Sequence, residues 1–98
     1  MTENEHLLVC LMEEAQELAH ACSKALRFGL GHKPKGKPLP NRLLIMLEYA
    51  DLRGALELLQ DRGVLPTPAY AVEQAAVRAK KTKILRNLKL AKKLRTVA

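Results

Sequence analysis

Apolar positions recur at helical spacing in three long stretches, separated by short runs rich in Gly and Pro. From Glu5 to Phe28 there is neither Gly nor Pro, and Leu7, Leu11, Ala15, Leu18, Ala21, Cys22 and Ala25 follow one another at steps that fall on one helix face. This predicts a helix closed by Gly29 as its C-cap. GLGHKPKGKPLP, Gly29 to Pro40, carries three Gly, three Pro and three Lys and reads as a loop. A second helix is expected from Asn41, placed as N-cap directly after Pro40, to Asp61, with Arg62-Gly63 closing it. Thr67-Pro68 has the form of an N-cap followed by Pro at the first helical position, opening a third helix that runs to about Arg95. Strand-like alternation of β-branched residues is absent throughout. The expected class is all-α, three long helices in one chain, with no internal repeat.

The polar positions that break the pattern are more informative than those that keep it. With Glu48 at zero and about 100° per residue, Leu44, Leu47, Leu52, Ala55, Leu58 and Leu59 fall within about 100° on either side. Asp51 falls inside that apolar arc, at about −60°. Arg42, Arg53, Glu57 and Gln60 occupy the opposite face, where charge is cheap. On the first helix Glu14 lies within the apolar set and Glu17 at its edge, with Glu13 further out. Each helix therefore places two acids three residues apart, pointing the same way from a face expected to be buried. Four carboxylates converging between two helices would repel one another and lose hydration. Two remedies are open: a hard divalent cation such as Mg²⁺ or Mn²⁺, or Arg and Lys partners from another helix or subunit.

Length and charge narrow the class. Ninety-eight residues make one domain, and a chain of this size buries only roughly 60–65% of its unfolded surface, which favours a homo-oligomer. The wide arc of the second helix argues the same way, because one neighbour cannot cover it; a partner subunit would complete a four-helix arrangement, as dimer or tetramer. The net charge of +7 is unevenly placed. Met1 to Val77 holds 8 Lys+Arg against 10 Asp+Glu, a net of −2, whereas Arg78 to Ala98 holds 9 Lys+Arg and no acid, a net of +9. A basic C-terminal helix, about 78–98, raises nucleic acid as a partner; a solvated helix face is the plainer reading. With only two Tyr, one Phe and no Trp there is no stacking platform for single strands. Cys10 and Cys22, on one helix about 18 Å apart along its axis, neither bridge nor make a metal finger and read as small buried hydrophobes. No apolar run can span a bilayer and the start, MTENEH, is acidic, so a cytoplasmic protein is expected.

Glu13-Glu14-Ala15-Gln16-Glu17 fits EExxE, and Glu48-Tyr49-Ala50-Asp51 fits ExxD. Taken together on two helices, they resemble the MazG-like all-α nucleoside triphosphate pyrophosphohydrolases, over roughly Leu7 to Leu59. The resemblance implies Mg²⁺-dependent hydrolysis of a nucleoside triphosphate to monophosphate and pyrophosphate. It implies Glu14 and Glu17 as one pair of metal ligands, Glu48 and Asp51 as the other, and Glu13 as an additional catalytic acid. By the same resemblance a Lys or Arg beyond the second motif binds phosphate, for which Lys81, Lys83 and Arg86 are the candidates. Metal would clamp phosphate oxygens and acidify a water, a spare carboxylate would take its proton, and a cation would stabilise the departing group. The long basic run after Arg86 exceeds what the resemblance requires. A helical, non-enzymatic nucleic-acid-binding protein is the alternative, though it leaves Glu48 and Asp51 unexplained. Weaker candidates are His20, three residues after Glu17; Lys24, Arg27 and Phe28 at the end of the first helix; Lys33, Lys35 and Lys37 in the loop; and Tyr49 between the second pair of acids.

Overall fold

A computed structural model describes residues 1–98. Three helices form where the spacing places them, with no strand: α1 Glu3–Phe28, α2 Asn41–Asp61 and α3 Tyr70–Lys93. No helix is long and apolar enough to cross a membrane. The chain divides into two compact units, Met1–Pro66 and Thr67–Ala98.

The first unit is an antiparallel pair of helices. Its two ends are tied by Asn41 Nδ2 donating to Gly29 O at 3.0 Å and by Arg62 donating to Glu3 at 2.9 Å. The covered positions include Leu7, Leu11, Glu14, Leu18, Ala21 and Ala25 on α1, where Val9 and Cys10 are also half-buried, and Asn41, Ile45, Glu48, Leu52, Ala55 and Leu59 on α2. Steps of four and three alternate along both, the spacing of a two-helix seam. Leu59, with no exposed surface, and Ala25 anchor the seam near its two ends.

The helix ends differ in detail from the local expectation. α1 begins two residues early because Thr2 caps it, its Oγ1 accepting from Glu5 N at 3.1 Å. Gly29 closes α1 at φ 101°, a left-handed value that suits a residue without Cβ. Asn41 is not the N-cap of α2: Pro40 holds that position, and the buried Asn41 side chain reaches the loop carbonyl instead. Nor does Thr67 cap α3: residues 67–69 stay outside the helix, which starts after an extended Ala69 with no side-chain cap. α3 ends at Lys93 with Arg95 N–H donating to Lys92 O and Thr96 N–H to Ala91 O. This closing motif puts Arg95 at φ 61°, a position usually taken by Gly. α3 has no buried residue.

One expectation about burial is corrected. The arc of α2 is apolar over roughly 200°, but α1 covers only part of it, centred near Leu59 at about +20° on the wheel above. Leu47 and Leu58, at the uncovered edge, are 52% and 46% exposed. Asp51 shares that edge and is exposed, while Glu48 is half-buried. Glu14 and Glu17 repeat the arrangement on α1, the first half-buried and the second exposed. The acids thus sit at the rim of the seam, not in the middle of a closed core. Cys22 is likewise exposed rather than buried, and Cys10 partly so.

Candidate functional site

Because α1 and α2 run antiparallel, the middle turns of the two helices face each other, and each contributes an acid to the seam at that level. Carboxylate oxygens of Glu14, Glu48 and Asp51 lie within 4.8 Å of one another. Oxygens on opposite sides of a Mg²⁺ ion are about 4.2 Å apart, at about 2.1 Å from the metal. Small side-chain rotations would bring the three onto one ion. The donor set is all oxygen and formally triply negative, which suits a hard divalent cation.

None of these three acids forms an ion pair within the chain. The ion pairs lie elsewhere, Arg53 with Glu57 at 3.0 Å on the outer face of α2 and Arg62 with Glu3 at the helix ends. The Glu14 carboxyl is held above its ordinary value, first by desolvation and then by the negative charges of Asp51, Glu48, Glu17 and Glu13. Glu17 is not part of the group of three; it lies one turn nearer the loop. Glu13 is exposed and outside the group. Lys81, Lys83 and Arg86 are exposed on α3, in the second unit.

Beside the acids, toward the loop, is a cleft of about 70 Å³ lined by Glu17, His20, Ala21, Lys24, Lys37, Asn41, Leu44 and Glu48. Three of its members were weak candidates in the sequence. His20 and Lys24 follow Glu17 by three and seven residues, which places them on its face of α1. Lys37 comes from the loop and, of the three loop lysines, is the one on the lining. Arg27 turns away, its guanidinium carbon 5.2 Å from the centre of the Phe28 ring, and Phe28 in turn lies against His32. Tyr49 lies beside Arg53, not on the acids, and is 42% exposed. Two larger hollows are shallow and apolar and lie at the helix ends, one of about 400 Å³ by Met1 and Leu7 and one of about 490 Å³ by Cys22, Leu26 and Ile45.

In comparisons with known proteins, no family model, curated protein or solved structure matches the chain.

Proposed function

We propose that this protein is a Mg²⁺- or Mn²⁺-dependent nucleoside triphosphate pyrophosphohydrolase of the MazG-like all-α kind, active as a homo-oligomer. The observation that carries this reading is the convergence of Glu14, Glu48 and Asp51 with no cation of the chain paired to any of them. Three of the four acids that the EExxE and ExxD motifs imply as ligands meet there, while Glu17 stands outside the group. Bound there, the divalent ion supplies neutralisation of phosphate oxygens and an acidified water. Glu14, Glu48 and Asp51 would hold it, with Glu17 of the adjacent turn as a further ligand and Glu13 as the additional acid to take a proton. Lys81, Lys83 and Arg86, the phosphate-binding candidates that the resemblance implies, belong to the second unit.

Oligomerisation is supported by the large apolar side chains left uncovered on α1 and α2, among them Met12, Leu26, Met46, Leu47 and Leu58. Apolar surface on both flanks of a two-helix seam suits a dimer or tetramer that completes a bundle. A second reading, nucleic-acid binding through α3, draws on the exposure of all nine cations from Arg78 to Arg95, with no acid among them. It shares Lys81, Lys83 and Arg86 with the first reading but makes no use of the acids of α1 and α2.

The test is a panel of canonical and modified nucleoside triphosphates with Mg²⁺, scored for pyrophosphate release by the protein and by Glu48→Gln. Release from at least one substrate, lost in the variant, is the expected result. No release from any of them, together with salt-sensitive binding of duplex DNA or RNA, would replace the enzyme by the binding protein.

A further inference from the structure

The cleft at Lys24 and Lys37 combines two lysines and two carboxylates, none of them in an ion pair. Lys24 and Lys37 line the same small space as Glu17 and Glu48, yet neither lysine forms an ion pair with them or with any other acid. The lysines come from different segments, the last turns of α1 and the loop, and both line the space together with the two acids. Glu48 belongs both to this lining and to the group of three carboxylates. A ligand that answers both sets of charge carries a cation and an anion in contact.

Backbone groups do not provide the anion site. The N–H groups of Asn41, Arg42, Leu43 and Leu44, the free donors that a helix start usually offers to anions, are already taken by His32 O, Leu30 O and, for the last two, Pro40 O. Recognition there falls to side chains. Lys24 and Lys37 carry the charge, and His20 adds an imidazole on the same lining. The space, about 70 Å³, is far below the about 300–1,000 Å³ of pockets that enclose whole ligands. It suits one tetrahedral group whose remainder lies outside.

We propose that this cleft binds a terminal phosphoryl group of a metal-chelated polyphosphate, with Lys24 and Lys37 as its cations and His20 as a hydrogen-bonding side chain. The inference rests on the metal reading of the acids and deepens it: the substrate is held by its phosphate chain at the α1–α2 seam, with metal and phosphate contacts adjacent at Glu48. Lys33 and Lys35, on the same loop, do not line the space and have no part in it.

Pyrophosphate is the probe, measured by equilibrium dialysis against the full chain with and without Mn²⁺, and Mn²⁺ alone is titrated in parallel. Lys24→Gln and Lys37→Gln should each weaken pyrophosphate binding about tenfold or more, the loss of a charge-assisted contact. Lys24→Arg should retain most of it, and Lys33→Gln and Lys35→Gln should match the parent. Mn²⁺ alone should bind the Gln variants as tightly as the parent or tighter. Equal pyrophosphate affinity in the parent and the Lys24 and Lys37 variants would overturn the assignment, as would equal losses in the Lys33 and Lys35 variants, which would make the effect one of net charge. Failure of Mn²⁺ to bind the parent would sink the metal reading alone. The cleft would then stand or fall on metal-free pyrophosphate binding and its loss in Lys24→Gln.

Discussion

Asp51→Asn separates a metal site from a structural ion pair. The substitution keeps the volume and removes one of three converging charges. Asp51 is exposed and has no ion-pair partner in the chain, so without metal the variant should behave as a surface substitution, within about 0.5 kcal/mol of the parent. A shift of about 4–8 °C per kcal/mol in a domain of this size makes that about 2–4 °C, upward if relieved repulsion dominates. Metal is where the two proteins should part. Mn²⁺ at 100 times its dissociation constant stabilises a protein that binds it only when folded by about 2.7 kcal/mol, a rise in Tm of roughly 10–20 °C. With two carboxylates left at the cluster, the variant should show almost none of this rise. Four melting curves, parent and variant with and without Mn²⁺, suffice. If Asp51 instead paired a cation of another subunit, the variant would strand it at about 3–5 kcal/mol, and the metal-free Tm would fall by more than about 12 °C. That fall, with no effect of Mn²⁺ on the parent, would refute the metal reading.

Leu59→Ala should cost about 2–5 kcal/mol in urea unfolding at any protein concentration, because Leu59 is fully covered within one chain. Leu58→Ala should cost stability in a concentration-dependent way if Leu58, 46% exposed, is covered only by a second copy; no dependence in either protein would refute the oligomer. The raised carboxyl of Glu14 means that, between its ordinary value and its folded one, the folded state binds more protons than the unfolded. Its contribution to stability therefore falls as pH rises through that window. Metal-free melting from mildly acidic pH to neutrality should show a loss that Glu14→Gln reduces, and an identical profile in the variant would refute the clustering. Arg95→Gly should relieve the left-handed conformation at φ 61° and stabilise the end of α3 by about 0.5–1 kcal/mol; reduced helicity by circular dichroism would contradict this.

The three helices, the loop and the glycine stops at Gly29 and Gly63 could be read from the chain because their causes are local. Spacing of apolar residues, the missing N–H of Pro and the backbone freedom of Gly act within a few residues. The pairs Glu14/Glu17 and Glu48/Asp51 were legible for the same reason, since a three-residue step in a helix puts both side chains on one side. Cap details were less so: Asn41 has the composition of an N-cap, but a carbonyl twelve residues away, that of Gly29, takes its side chain.

What needed the tertiary structure was which flank of each helix is covered. A wheel shows a wide apolar arc on α2 but not where a single neighbour will lie across it; covering the Leu59 side leaves Asp51, Leu47 and Leu58 at the open edge. The antiparallel crossing also decides the partition of the acids, bringing Glu14 to Glu48 and Asp51 and leaving Glu17 to the cleft with Lys24 and Lys37. Lys24 and Lys37 share no helical face, and no local rule brings them together. Their meeting depends on the path of the loop, pinned by the bonds of Asn41 to Gly29 and His32, and on helix packing across a seam. These are contacts between residues distant in sequence, and periodicity within one helix carries no information about them.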